Sequence, residues 1–502
     1  MDITEAWATR PVPPAYLLSR WLFLRLLGAV YLIAFVSLAV QVSGLLGERG
    51  ILPAGSFLQR VHALYGGAAY RLFPTFCWLG AGDGMLRLLS WGGAALAVLL
   101  IAGVAPAPVL LLLWMCYLSL SVAGQAFLWF QWDGLLLETG LLAVLYAPSR
   151  LVPSVTRDQA PAPWMRWLLW WLLFRLMFLS GLTKLVSGDA AWRHLSALDY
   201  HFWTQPLPTW PAWYAHWTSP WVHRAMTLVI LAIELLVPWL IFVPQRWRRG
   251  RYAACALLVL GQLAIALTGN YGFFNLLAIV LCVPLLDDGV LQRVLPLHLT
   301  ATEPEPRWRR RAIAGVAPVL ALLSLLAFAR EIVQTLPSAR GGLDNPLLGA
   351  IEPLRSVNGY GLFRVMTTER PEIVIEGSRD GVQWSEYGFR WTPGDVQRRP
   401  AFVAPYMPRL DWQMWFAALN PEGAREWLPS LLRHVLTGTP EVLALLGHDP
   451  FPDAPPRYVR LGYFHYRFST PSERAASGAW WQRERVGDLT KPLSLGELAS
   501  PR

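Results

Sequence analysis

Up to about residue 330 the chain alternates long apolar runs with short stretches rich in Arg, Pro, Gly and Trp. A helix needs roughly 20 mostly apolar residues to cross a bilayer. Nine runs meet or approach that length: 21–42, 88–105, 108–130, 134–148, 164–186, 222–243, 252–268, 271–286 and 312–329. The fourth and eighth are short, so each is tilted, re-entrant or merely buried. After Phe328 the pattern changes, and residues 331–502 hold no spanning run. Pro371–Gly377 and Val382–Trp391 flank Ser378, Arg379, Asp380 and Gly381, a hairpin signal because Asp-Gly supplies the positive φ of a tight turn. Tyr360–Thr367 and Arg457–Ser469 are strand-like in their aromatic and β-branched content. Asp411–Leu419 and Glu422–Leu436 read as helices. The pattern predicts an α-helical multi-pass membrane bundle over 1–330 and a β-rich C-terminal domain over 331–502.

Composition agrees with that division. Of 502 residues, 54% are apolar and only 15% charged, against about 25% charged in ordinary globular chains. The net charge of +10 does not point to nucleic acid. The basic residues cluster beside apolar runs, as topology signals do, and form no stripe on a soluble fold. The strongest clusters are Arg246, Arg248, Arg249 and Arg251, then Arg307, Arg309, Arg310 and Arg311. Placing both in the cytoplasm puts the N-terminus, with Arg10 and Arg20, there too. The 187–221 loop, the Asn270 turn and everything after 330 then lie outside. Arg49, Arg60, Arg71 and Arg87 also fall outside, against the trend. The start up to Pro14 lacks a cleavable signal pattern, so the first run reads as a retained anchor. Cys77, Cys116, Cys255 and Cys282 form no CxxC and no metal spacing. Neither a disulfide framework, a metal site nor a cofactor is indicated. Of the 43 basic residues, all but Lys184 and Lys491 are arginine, a usage that suggests a GC-rich bacterial genome.

Candidate chemistry begins with charges at membrane depth, which are costly in lipid and therefore tend to pair inside a bundle. Arg25, Arg175 and Lys184 stand against Asp133, Glu138 and Glu234. One reading is an ion-paired scaffold; the other is a polar functional cavity. Asp133 and Glu138 are five apart and share no helix face, so capping by Asp133 and pairing by Glu138 fit better than an acid/base pair. Residues 181–208 crowd Lys184, Trp192, Asp199 and His201 where the chain leaves the membrane. A lysine can become a neutral amine, which arginine cannot, so Lys184 is a candidate base with His201, Asp199 or Glu138 as neighbours. The bland alternative is a snorkelling helix end. Asn270 and Asn275 interrupt two apolar stretches, either as a tight helical turn or as the lining of the same cavity. Trp412, Trp415 and Phe416 are either domain core or an aromatic face for a client protein or for the bilayer surface.

Several stretches resemble the lipase maturation factor family: Trp132–Glu138, Ser180–Asp189, Tyr200–Pro208, Trp213–His216, Thr268–Leu277, Tyr360–Phe363, Arg370–Gly377, Pro393–Val396, Arg398–Pro400 and Pro408–Leu419. The likeness runs from about 120 to 480. It implies an endoplasmic reticulum-type membrane protein with a lumenal C-terminal domain and a chaperone-like role. The clients of the family are secreted homodimeric lipases. In a bacterium the corresponding place is the inner membrane, with the domain in the periplasm. A shorter likeness, Thr183 to Leu185 followed by Trp192, reaches the vitamin K-dependent γ-carboxylases and implies a base at Lys184. Two functions follow: a non-enzymatic maturation factor, or a membrane enzyme centred on Lys184. A transporter is the third reading, without a detectable inverted repeat to support it.

Overall fold

The structure is a computed structural model that describes residues 16–152, 157–297, 299–301, 306–336 and 345–499. Arg10 and Pro14 lie outside the described residues. Each of the nine apolar runs forms a helix: α1 (Leu17–Ala39), α2 (Asp83–Ala102), α3 (Pro106–Ala123), α4 (Gln131–Tyr146), α5 (Pro163–Val186), α6 (Pro220–Leu235), α7 (Arg248–Thr268), α8 (Phe274–Cys282) and α9 (Arg307–Thr335). Among the described residues, seven helical segments are long and apolar enough to cross a membrane. The two runs marked as short, α4 and α8, fall below that length. With 16 residues and about 1.5 Å of rise per residue, α4 reaches roughly 24 Å, short of a bilayer core near 30 Å. α8 with its 3-10 extension ends at Leu285 and is shorter still. Both are core helices: Leu135, Leu136, Leu137, Leu277 and Leu281 are fully enclosed. By contrast α6, α7 and α9 turn Leu228, Val229, Leu260, Leu263, Val319 and Leu322 outward, a surface suited to lipid. The chain is a multi-pass membrane protein.

The two ends of the bundle differ. At one end Asp288 accepts the N–H groups of Leu17, Leu18 and Ser19 at 2.9, 2.9 and 3.2 Å, which satisfies the orphan donors of the first turn of α1. Arg20 reaches Asp158 at 2.9 Å. Arg309 donates to the carbonyls of Val144, Leu145 and Ala147. Arg248 lies 3.6 Å from Asp287. Both arginine clusters therefore gather at this end.

The C-terminal domain sits on the opposite end. Its sheet runs β2-β1-β3-β4, all antiparallel, with β1 at Pro371–Ser378, β2 at Ser385–Glu386, β3 at Tyr458–Phe468 and β4 at Trp481–Asp488. The β1–β3 register pairs Ile373 with Tyr463 and Ile375 with Leu461. The expected turn is present. Ser378 Oγ accepts from Gly381 N at 2.9 Å, Asp380 Oδ1 accepts from Val382 and Gln383, and Gly381 has φ +77°. The return strand is shorter than expected, because Gly388 pairs with His448 and the N–H groups of Trp391 and Thr392 turn to Asp411 Oδ1. α10 (Arg409–Leu419) matches expectation. The helix expected over 422–436 is two pieces, a 3-10 turn Pro421–Ala424 and α11 (Leu428–Thr437), with Pro429 in the first turn of the second.

Tyr360–Thr367 is not a strand. Side chains of the bundle take the backbone groups that a strand would use. Trp192 Nε1 donates to Phe363 O at 2.9 Å, Met366 N donates to Asp189 Oδ2 at 3.1 Å, and Phe363 itself adopts φ +54°. One hydrophobic core runs unbroken from α1 into the sheet and α10.

Candidate functional site

Among the buried ion pairs of the described residues, three hold the carboxylates Asp133, Glu138 and Glu234. Asp133, at the start of α4, is gripped by both terminal nitrogens of Arg409 at 2.6 and 2.8 Å and accepts from Tyr117 Oη at 2.6 Å. Glu138, on the same helix, pairs with Arg175 of α5 and accepts from Asn358 N at 3.0 Å and Tyr360 Oη at 2.7 Å. Lys184, near the end of α5, donates to both oxygens of Glu234 at 2.5 and 2.6 Å.

The expected set of six pairing charges is corrected at one member. Among the described residues Arg25 makes no direct ion pair; its guanidinium lies 4.0 Å over the Trp21 ring and donates to Trp21 O. Its place beside Asp133 is taken by Arg409, from the C-terminal domain. Both Arg409 and Asp133 are enclosed, at 1% and 2% side-chain exposure. Further polar contacts seat the same domain. Ser37 and Gln41, at the end of α1, meet Met407 and Arg409. Asn270 accepts from Val403 N and Ala404 N and donates to Ala401 O. Arg370 donates to the carbonyls of Trp203, Gln205 and Pro206.

Lys184 and Glu234 border a cavity of about 80 Å³ between α5, α6, α7 and α8, which His201, Gln262, Tyr271 and Asn275 also line. Gly181 brings the first two helices together. A Cβ there would meet Glu234 Cβ at 2.9 Å and Leu235 Cγ at 2.9 Å, so only glycine lets Glu234 approach Lys184 this closely. Trp192 closes one side, with the Lys184 ammonium 5.2 Å from its ring centroid. Asn275 Nδ2 donates to Gln262 Oε1 at 2.9 Å. Tyr271 donates to Gln205 Oε1 at 2.7 Å and lies 3.2 Å from His201 Nε2. Because the tyrosine proton is used on Gln205, His201 Nε2 carries the hydrogen toward the tyrosine oxygen and Nδ1 keeps its lone pair. Burial, helped by the nearby Lys184 charge, lowers the His201 pKa to about 4, so the imidazole is neutral.

The structure separates the other expected neighbours of Lys184. Asp199 points to His223, Oδ1 to Nδ1 at 2.7 Å. Glu138 belongs to the Arg175 network. Asn270 holds the C-terminal domain, whereas Asn275 does line the cavity. Gln262 escaped sequence reading, although it is a polar residue amid Leu, Ala, Ile and Val in an apolar run. The aromatic face is corrected too. Trp412 and Trp415 are buried, Trp412 against Trp132 with ring centroids 4.8 Å apart, and Trp415 Nε1 bonded to Thr204 O at 2.9 Å. Of the three, Phe416 alone is exposed. Among the described residues no three His, Cys, Asp or Glu side chains form a possible metal group.

The bundle and the domain seated on it correspond to two family profiles. The lipase maturation factor transmembrane domain matches residues 18–293, and the lipase maturation factor C-terminal domain matches residues 356–491. The chain belongs to the lipase maturation factor family. It is 37% identical to Lipase maturation factor 2 of Homo sapiens over 96% of this chain and 83% of that protein. It is 36% identical to Lipase maturation factor 1 of Bos taurus over 96% of this chain and 90% of that protein. No solved structure matches it. Asp133, Arg175, Lys184, Glu234 and Asn275 fall inside the first family domain, and Arg370 and Arg409 inside the second. The Asp133–Arg409 pair therefore joins the two domains of the family.

Proposed function

We propose that this lipase maturation factor assists the folding or assembly of secreted lipases from the extracytoplasmic side of the membrane. The observation that carries this reading is likeness along nearly the whole chain to proteins named for lipase maturation. The positive-inside tendency supports the sidedness. Arg246, Arg248, Arg249 and Arg251, with Arg307 and Arg309 to Arg311, belong at the cytoplasmic end. The C-terminal domain then faces the periplasm of a bacterial inner membrane, as it would face the lumen of an endoplasmic reticulum. The domain would act as a platform held by its buried latches. β4 offers a client-binding edge: it pairs with β3 on one side, and from Glu484 to Asp488 its residues are exposed. Exposed edges accept a strand from a partner. Phe416 supplies an apolar contact on the same domain.

Co-expression with a secreted homodimeric lipase tests the role. Active secreted enzyme should rise at least severalfold with the intact chain, and Val486→Lys on the β4 edge should remove most of the gain. Equal lipase activity with and without the chain would refute the reading.

A second reading, a membrane enzyme with Lys184 as base, draws on Lys184 and His201 sharing one cavity. Against it stands the two-point contact of Lys184 with Glu234. Full function in Lys184→Arg would dismiss it.

A further inference from the structure

The Lys184 cavity combines a paired charge with uncharged polar groups that face open volume. Its charges cancel, because Lys184 and Glu234 meet at 2.5 and 2.6 Å, and His201 beside them is neutral. Its hydrogen-bonding capacity is not used up. His201 Nδ1 and Asn275 Oδ1 have no partner among the described residues, and Gln262 Nε2 meets only the Met177 sulfur, at 3.9 Å. Polar groups that face open volume with capacity to spare can meet the polar head of an incoming molecule.

The walls are apolar: Leu176, Met177, Ile230 and Ile265 line them. Ile230 and Ile265 belong to α6 and α7, whose other faces point outward with Leu228, Val229 and Leu263. The volume of about 80 Å³ admits a small head and not the body of a lipid. An anionic head would face Glu234, and a cationic one would face Lys184. An uncharged hydroxyl, donating to His201 Nδ1 or Asn275 Oδ1 and accepting from Gln262 Nε2, matches this lining.

We propose that this cavity binds the uncharged, hydroxyl-bearing head of a membrane lipid, whose hydrocarbon chain lies between α6 and α7. Acylglycerols and long-chain alcohols both carry this chemistry. The site stands whether or not the chain acts on lipases.

The full chain in nanodiscs is exposed to a photoactivatable diacylglycerol and, separately, to a photoactivatable long-chain alcohol. Labelled peptides are then identified by mass spectrometry. Saturable labelling of the segments around Ile230 and Ile265 is expected, displaced by unlabelled diacylglycerol and not by phosphatidic acid. Labelling by either probe supports the site, and the probe that labels names the source. Ile230→Trp fills the mouth and should cut labelling at least fivefold with the thermal midpoint unchanged. Ile265→Trp fills it from the other wall and serves if the first variant misfolds. Absence of saturable labelling by both probes, equal displacement by phosphatidic acid, or full labelling of a folded tryptophan variant would overturn the proposal.

Discussion

At the seat of the C-terminal domain each oxygen of the two buried carboxylates is met. Asp133 takes Arg409 on both oxygens and Tyr117 on one; Glu138 takes Arg175 on one and Asn358 with Tyr360 on the other. In the Lys184 cavity the charges are equally well paired, yet His201, Gln262 and Asn275 keep capacity to spare beside open volume. Both places look alike as sequence, since each is a charge in an apolar run. A network with every oxygen occupied fixes geometry; one left unfinished next to a cavity can receive a ligand. Charge at membrane depth is thus a poor guide to function until its partners have been counted.

The strongest way to break the comparison is to leave Asp133 alone. Arg409→Ala strands a buried carboxylate and should destabilise the protein by about 3–5 kcal/mol. A fall in the thermal midpoint and in folded yield would report it. Asp133→Leu combined with Arg409→Met should recover most of the loss, because removing both charges removes the desolvation penalty. Gly181→Val tests the cavity end. Forcing a side chain against Glu234 should cost about 1–3 kcal/mol, read as a lower midpoint with the C-terminal domain still seated.

The third way uses pH. Glu372 on β1 is buried, and burial lifts its pKa from 4.5 to about 7 although Arg370 stands 2.8 Å away. Arg370 spends its N–H groups on the carbonyls of Trp203, Gln205 and Pro206. A raised carboxyl binds more protons in the folded state, so stability is greatest below about 4.5. It falls as pH rises toward 7, by up to about 3 kcal/mol. Glu372→Gln should flatten that slope in midpoints measured from pH 4.5 to 7.5. The smallest effect belongs to Arg25→Gln. With no direct ion pair among the described residues and a half-exposed stack on Trp21, it should shift stability by less than about 0.5 kcal/mol, and a large loss would mean that a partner exists.

The sequence made the helices legible because lipid demands long apolar runs, and each of the nine runs became one. Length singled out the two short runs that became α4 and α8, but left open whether each crosses, tilts or stays buried, since both are as apolar as their neighbours. Lys184, Glu234 and Asn275 could be singled out as polar residues in greasy surroundings, and they do line one cavity. Arg409 could not, because its partner Asp133 lies 276 residues away and an arginine in a soluble segment carries no signal of burial. Tyr360–Thr367 misled for a related reason. Its strand propensity was overridden by bundle side chains that claim its backbone, and no local pattern records them.

The proposed topology places the arginine-rich end and the C-terminal domain on opposite faces of the membrane. A single cysteine at exposed Ser472, beside β3, can be labelled with a maleimide that does not cross membranes. Three of the four native cysteines are buried and the fourth is half-buried, which keeps background low. Labelling of Ser472→Cys from the periplasmic or lumenal side of sealed membranes, before any permeabilisation, is the expected result. Labelling from the cytosolic side alone would contradict it.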